Sequence, residues 1–457
     1  MDGTPGLTAR LVQQALTLRY EDLPARARTL AIQCITDWLA VTIGGHRDPL
    51  VQHLLADLLE QGGAPQATLC GSALRLPVYQ AALLNGTASH ALDYDDVNYA
   101  LSGHPTVPVM PALFALAEQR GLEGDALIAA FVAGYEFECR VGLLVAPGHY
   151  ARGFHATATV GALGAALACA HLLRLSPLQA TYAVGIAATQ AAGLKSLFGS
   201  DCKPLHAGNA ARIGAQAANL AARGFVSRLD SLECSQGFAA THSQDFNLDA
   251  ALATPSDGLH LYANLFKYHA ACFETHATIE CCRELRQRHA LAPADIRRVA
   301  IHVNPYCDQI CNIANPQTGL AAKFSLRQTA TFALAGRDTA DPATFTDDFL
   351  QQTALTTLRE KIVIELDATV PASHAIVRVE CNGGDTFENR FDASRPLRDL
   401  TVQGNRLRDK ARALLAPTMM NAQLQSLFET LEKFAQPGSF RAVLKIIATA
   451  AVLHQSA

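Results

Sequence analysis

Charge of either sign is scarce in these 457 residues. Charged side chains make up 17% of the chain, and 41 acidic residues against 37 basic ones leave a net charge of −4. Without a basic surplus the chain has little with which to neutralise a phosphate backbone, so nucleic acid is not an expected partner. Lysine is rarer still: positions 195, 203, 267, 323, 361, 410, 433 and 445 hold all of it, and the remaining basic residues are Arg. A Lys inside an apolar stretch therefore stands out. The opening MDGTPGLTAR has neither a basic n-region nor an apolar h-region, so no signal peptide is expected. The 12 Cys are scattered, with no CxxC and no tight Cys/His grouping, which fits reduced thiols and a cytoplasmic location. Also missing are a GxGxxG opening a helix after a strand, a GxxxxGK(S/T) loop and an HExxH. The usual signatures of cofactor and metal chemistry are thus absent, and direct acid–base chemistry on a small anion remains.

What is present is apolar bulk. Hydrophobic residues make up 49% of the chain, enough to bury a large core, and the length suits two or three domains. Two charge-free runs, Ala156 to Leu173 and Leu175 to Leu194, approach membrane length. Both are rich in Ala, Gly and Thr, and the second holds Pro177, Gln179 and Gln190. A membrane span would carry bulkier aliphatics, so they read as helices buried in a soluble core, and no membrane partner is expected. Helical spacing runs from about residue 5 to 265, with segments at 27–43, 80–90, 107–119, 124–144, 157–173, 177–191 and 204–223. Gly121, Pro147 and Gly224 punctuate them. Near residue 265 the character changes. Residues 298–303, 361–366 and 375–381 alternate like strands, and Asn382-Gly383-Gly384-Asp385 reads as a hairpin turn before 386–391. Helices are expected around 323–335 and 344–360. The fold class is therefore mainly α: a helical domain over 1–265, completed by helices in 397–457, and a smaller α+β domain over 266–396.

Four stretches carry chemistry. In His90-Ala-Leu-Asp93-Tyr-Asp95-Asp96, followed by Gly103-His104-Pro105, three carboxylates fall in four residues with a His shortly after. Between apolar helices such a cluster has to be paired or useful; the plain alternative is a solvated acidic loop. Gly153-Phe154-His155 places a His at the mouth of a buried helix, either as a proton donor or as a satisfied structural residue. In Lys203-Pro204-Leu205-His206, Pro204 fits the first position of a helix, which would set Lys203 at its positive end. That is an anion site or an ordinary surface Lys at a helix start. In Lys267-Tyr-His-Ala-Ala-Cys272-Phe-Glu-Thr-His276, a helix running to Leu285 would place Cys272 and His276 on one face, as an activated thiol or as a buried pair. Tyr306 offers a hydroxyl just past the first strand.

Taken together, HALDYDD, GHP, GFHATATVGALGAA, KPLHAGNAAR, the Lys267–His276 stretch and AKFSL at 322–326 resemble the MmgE/PrpD family in content and order, from about residue 8 to 440. The family includes 2-methylcitrate dehydratase, cis-aconitate decarboxylase and iminodisuccinate epimerase. The resemblance implies a large all-helical domain, a smaller α+β lid domain, a site between them, a homodimer, and no metal or organic cofactor. By position, Asp93, His104, His155, Lys203 and Lys267 match the family's active-site motifs, and Tyr306 matches where the alignment loosens. Val97 stands where decarboxylase-like members carry Thr, and Cys272 where they carry His; both weaken a decarboxylase reading, and GHP with Cys272 leans towards epimerase-like or unassigned branches. The expected function is a cofactor-independent lyase or isomerase that removes a proton next to a carboxylate of a small polycarboxylate. Eliminating water comes first, epimerisation second and decarboxylation third. Lys203 and Lys267 would bind carboxylates with Tyr306 and His206, His104 and His155 would be the acid/base partners, Asp93 would orient a His, and Cys272 would deliver a proton to the opposite face. A non-catalytic anion-binding dimer is the alternative from another class.

Overall fold

A computed structural model describes residues 6–350 and 352–450. Cα packing divides the chain into a larger unit, Met1–Phe266 with Arg398–Ala457, and a smaller one, Lys267–Leu397. In the larger unit the helices expected from spacing are present, mostly within one to three residues of their expected ends: Ala25–Gly45, Val78–Ala91, Thr106–Arg120, Gly124–Val145, Ala156–Leu172, Pro177–Ala188 and Cys202–Ala222. Among the described residues of this unit, one two-residue antiparallel ribbon, Ala67–Thr68 with Arg75–Leu76, interrupts the otherwise helical pattern. The C-terminal segment adds Leu400–Leu415, Asn421–Glu432 and Ser439–Ala450; the part of the expected helical tail beyond residue 450 lies outside the described residues. Among the described residues no helix is long and apolar enough to cross a membrane.

The Ala/Gly richness has a packing cause. The Cys202–Ala222 helix lies against Val78–Ala91 and Ala156–Leu172. A Cβ on Gly208 would sit 2.3 Å from the Leu83 carbonyl oxygen, and one on Gly86 would sit 2.7 Å from the Gly208 Cα. A Cβ on Gly214 would meet that of Ala165 at 2.3 Å. Backbones this close leave no room for larger side chains, which is why the central helices lack the bulk of a membrane span. All but one residue of Ala156–Leu172 is buried.

The smaller unit is built on a four-stranded sheet in the order Ile362–Leu366, Ile296–Val303, His374–Cys381, Thr386–Asp392. The first two strands pair in parallel and the others antiparallel. Val299, Ile301, Val303, Ala375, Val377 and Val379 are buried, and the sheet packs on the His276–His289 and Leu326–Leu334 helices. A bulge between Ile296 and Arg298 leaves both Arg297 and Arg298 exposed, where they pair with Glu380 and Glu365. The hairpin at 382–385 forms as expected, with Gly384 in the left-handed region at φ 96°. Within the expected 344–360 helix the described residues form two shorter ones, Asp347–Leu350 and Thr353–Glu360, and residue 351 lies outside the described residues.

Candidate active site

The Val78–Ala91 helix ends at Leu92, and Asp93 turns the chain with φ 48°. Asp tolerates this left-handed conformation better than most residues. The turn sends Tyr94, Asp95 and Asp96 into the interior, each at most 1% exposed. These acids are therefore no solvated loop. Asp95 is flanked by two imidazoles. Its Oδ1 lies 2.9 Å from His90 Nδ1 in a hydrogen bond. Its Oδ2 lies 2.8 Å from His104 Nδ1, an ion-pair contact outside good hydrogen-bond alignment. Burial alone would raise the Asp95 carboxyl, but His104 and His90 outweigh it and hold it well below the usual range. Burial, against the pull of Asp95, pushes His90 down to about 4.

Around this chain stand the other polar groups of the larger unit. Lys203 Nζ donates to Asp93 Oδ1 at 2.8 Å, and His104 Nε2 lies 3.9 Å from that same oxygen. The His104 N–H donates to the Thr157 hydroxyl at 3.0 Å, which ties its loop to the start of the Ala156–Leu172 helix. His155 precedes that helix, and its Nδ1 lies 3.2 Å from His206 Nδ1, so one ring donates and the other accepts. Burial first, then His90, Lys203, His104 and His206, push His155 well below its ordinary value; burial and Lys203 lower His206. The rings of His90 and His155 stack at 5.8 Å, and Phe198 closes on His155 edge-on at 4.9 Å.

Asp93, His104, His155, Lys203 and His206 are thus brought together, while two details of the sequence reading are corrected. The helix behind Lys203 starts at Cys202, so Pro204 is its third residue rather than its first. The N–H of Lys203 goes to the Ser200 carbonyl and that of Cys202 to the Ser200 hydroxyl. Lys203 therefore offers an ammonium already paired with Asp93, not a cradle of free N–H groups. Asp95 lies closer to the His104 ring than Asp93 does, 2.8 Å against 3.9 Å, and Asp93 also pairs with Lys203.

Sequence reasoning also missed Lys410. It is 1% exposed, its Nζ lies 2.6 Å from Asp37, and it donates to the Tyr94 carbonyl at 2.6 Å. The C-terminal Leu400–Leu415 helix thereby holds the acidic turn from behind. The rarity of Lys was the only signal. Beside it, Asp96 accepts from the Thr106 hydroxyl at 2.6 Å, and burial pushes its carboxyl up to about 7.

The ligand atoms of His90, Asp93, Asp95 and His104 lie within 4.8 Å of one another, close enough to ring a cation. The sequence groups these four residues in one acid/base cluster but carries no metal-ligand spacing; the turn at Asp93 brings their ligand atoms together. Asp95 already has an imidazole at each oxygen and Asp93 has Lys203, so an ion would have to open these contacts.

In the smaller unit Lys267 is 2% exposed and Cys272 6%. Cys272 does not share a helix face with His276. It caps the short 3-10 turn Phe273–Thr275, the α-helix begins only at His276, and the Cys272 thiol donates to Glu274 Oε2 at 2.9 Å. His276 is buried against His269 and Phe273 instead. Tyr306 opens the Tyr306–Cys311 helix, 47% exposed, near Glu274 and Cys272.

The sequence matches the MmgE/PrpD N-terminal domain over residues 9–251 and the MmgE/PrpD C-terminal domain over residues 269–433. It is 27% identical to cis-aconitate decarboxylase of Mus musculus over 385 residues, covering 79% of this chain and 76% of the mouse protein. The Homo sapiens cis-aconitate decarboxylase is 29% identical over 340 residues, covering 70% and 69%. That of Aspergillus terreus is 28% identical over 298 residues, covering 62% and 61%. With both domains matched in order over most of its length, the chain belongs to the MmgE/PrpD family.

Proposed function

We propose that this protein is a lyase that removes a proton next to a carboxylate of a small polycarboxylate. The observation that carries the reading is the His90–Asp95–His104 chain ending beside the Asp93–Lys203 pair. A proton α to a carboxylate is reluctant to leave. The reaction needs a base, a cation for the developing enolate charge, and an acid for the departing group. His104 supplies the base at Nε2, and the ionised Asp95 at its Nδ1 stabilises the imidazolium that forms. Lys203 exchanges part of its contact with Asp93 for a substrate carboxylate. His155, neutral in the free site, takes up a proton from solvent as the polycarboxylate binds and passes it to the leaving hydroxyl, which departs as water and returns the ring to its neutral form hydrogen-bonded to His206. The protons pass between substrate, solvent and this chain's own side chains, so the reading calls on no cofactor.

Elimination of water is the outcome this acid/base arrangement supports first. The second reading is decarboxylation, favoured by the names of the mouse, human and fungal relatives. In decarboxylation the C–C bond to a carboxylate breaks in place of the C–H bond: CO2 leaves, the same ammonium holds the enolate-like charge, and an acid returns a proton to carbon. Lys267 and Tyr306 are proposed as substrate contacts and Cys272 as a proton carrier in their own unit, each tested by its own substitution.

The test is an NMR screen in D2O with citrate-like, aconitate-like and aspartate-derived acids. Elimination appears as new vinyl signals, decarboxylation as lost carbon with deuterium in its place, and epimerisation as exchange without net loss. Turnover of a polycarboxylate that survives EDTA treatment is expected. Loss of turnover on chelation, restored by a divalent metal, would contradict the proton-only mechanism.

A further inference from the structure

Three thiols of the smaller unit adjoin one another. The Cys311 thiol interacts with those of Cys272 and Cys307, and the Phe273–Thr275 turn that follows Cys272 packs on the Tyr306–Cys311 helix. All three residues are buried: Cys307 and Cys311 have no exposure, and Cys272 has 6%. The backbone fixes this arrangement independently. The Cys272 N–H donates to the Lys323 carbonyl at 3.0 Å, and the Ile313 N–H donates to the Phe324 carbonyl at 3.1 Å. Asn312 bridges Ser325, whose hydroxyl donates to the Ile313 carbonyl at 2.6 Å. Residues 323–325 are therefore laced on one side to the loop of Cys272 and on the other to the chain leaving the Cys311 helix.

We propose that Cys272 and Cys311 are a peroxide-responsive pair that closes a reversible disulfide. The three thiols differ in aptitude. Cys272 is the one with measurable exposure, so peroxide reaches it first, and Glu274 Oε2 is in place to accept its proton. It is the attacking sulfur. Cys307 and Cys311 are four apart on one helix, where Cβ atoms stand about 5–6 Å apart. A disulfide wants Cβ atoms about 3.5–4.5 Å apart, so joining those two would distort the helix. Cys311 is thus the resolving thiol for Cys272, and Cys307 a bystander.

The co-reactant is hydrogen peroxide or an alkyl hydroperoxide. Glu274 takes the Cys272 proton and the thiolate attacks one peroxide oxygen. The O–O bond breaks, and the departing oxygen leaves as water or alcohol with that proton, giving a sulfenic acid. The Cys311 sulfur then attacks the Cys272 sulfur. The S–S bond forms, the S–O bond breaks, and water leaves with the Cys311 proton. Two thiols give up two electrons and one peroxide accepts them. A dithiol reductant reverses the step by exchange. Only the effect on turnover rests on the proton-carrier role proposed for Cys272; the bond itself does not.

The experiment uses the reduced full chain, a small excess of hydrogen peroxide, alkylation of remaining thiols, and peptide mass spectrometry with turnover read in parallel. A Cys272–Cys311 cross-link lost on dithiothreitol treatment is the expected result. Cys307→Ser should keep it. Cys311→Ser should lose it and leave Cys272 to run on to sulfinic acid. A Cys307–Cys311 cross-link, or a Cys272 that stays alkylatable throughout, overturns the proposal. A reversible cross-link with undiminished turnover upholds the modification site and removes Cys272 from the reaction.

Discussion

At the scale of single residues, the account turns on Asp95 and Lys410, neither of which touches substrate in the proposed mechanism. Asp95 holds His104 by one oxygen and His90 by the other. Asp95→Asn keeps the shape but replaces an acceptor with a donor and removes the charge that stabilises an imidazolium. Turnover should fall about 10²- to 10⁴-fold with the fold retained, because the charge that forms on His104 during proton abstraction is then uncompensated. Steady-state kinetics across pH, with circular dichroism as control, checks both. Lys203→Ala should weaken substrate binding by about one to two powers of ten, and Lys203→Arg should not fully restore it, since a planar fork replaces a point charge. Lys410 answers to stability. Lys410→Met strands Asp37 in the interior, where burial already pushes its carboxyl up to about 6. A loss of about 3–5 kcal/mol in unfolding free energy is expected, and much of it should return in Lys410→Met/Asp37→Leu. Denaturant melts of both variants decide it; equal stability of wild type and Lys410→Met would show that the pair is idle.

At the scale of elements, closeness between helices sets the sequence. Gly208→Ala adds a Cβ that would sit 2.3 Å from the Leu83 carbonyl oxygen and the Thr87 hydroxyl. Helix propensity favours this change by up to about 1 kcal/mol. The clash is with rigid backbone, so the net effect should be destabilising by about 1–3 kcal/mol, seen as a lower melting temperature. The same closeness explains what was legible in the sequence. The long helices declared themselves by apolar spacing and Gly/Pro punctuation, and the strands by alternation, because each signal is local. The Lys203 helix start was misplaced, since Pro204 suits the first turn at its third position as well as at its first. The Cys272 turn was read as helix because a four-residue spacing looks alike in both. Asp95 was visible within HALDYDD, but its priority over Asp93 depends on the left-handed Asp93, which no spacing encodes. Lys410 meets Tyr94 from 316 positions away, beyond any local pattern.

At the scale of the whole molecule, buried titratable groups set how stability depends on pH. Burial lowers His46, His90, His149 and His260 to about 4 and holds His155 and His276 well below their usual value. Each takes a proton in the unfolded chain below about 6.5 but not in the native one, so each loses stability as pH falls through that window. Asp37 is raised to about 6, Asp96 and Glu136 to about 7, and Glu138 well above its usual value. These keep protons that the unfolded chain releases above about 4, so they lose stability as pH rises. The histidines outnumber the acids between pH 4.5 and 6, and the balance passes to the acids above about 6.5. The melting temperature should rise from pH 4.5 to a maximum near 6.5 and then decline gently. A melting temperature that falls throughout that range would show that the acids dominate.

The most direct test of the central claim is made on His104 with the polycarboxylate that the wild-type enzyme turns over fastest. Wild type and His104→Gln are followed by NMR in D2O, and binding of the same acid is measured for both. Glutamine keeps a polar side chain of similar reach but cannot take a proton. The account predicts deuterium exchange and turnover in the wild type, loss of both by at least about two powers of ten in His104→Gln, and binding within a few-fold of normal. Exchange and turnover in His104→Gln at the wild-type rate would contradict it, and the base would have to be sought elsewhere.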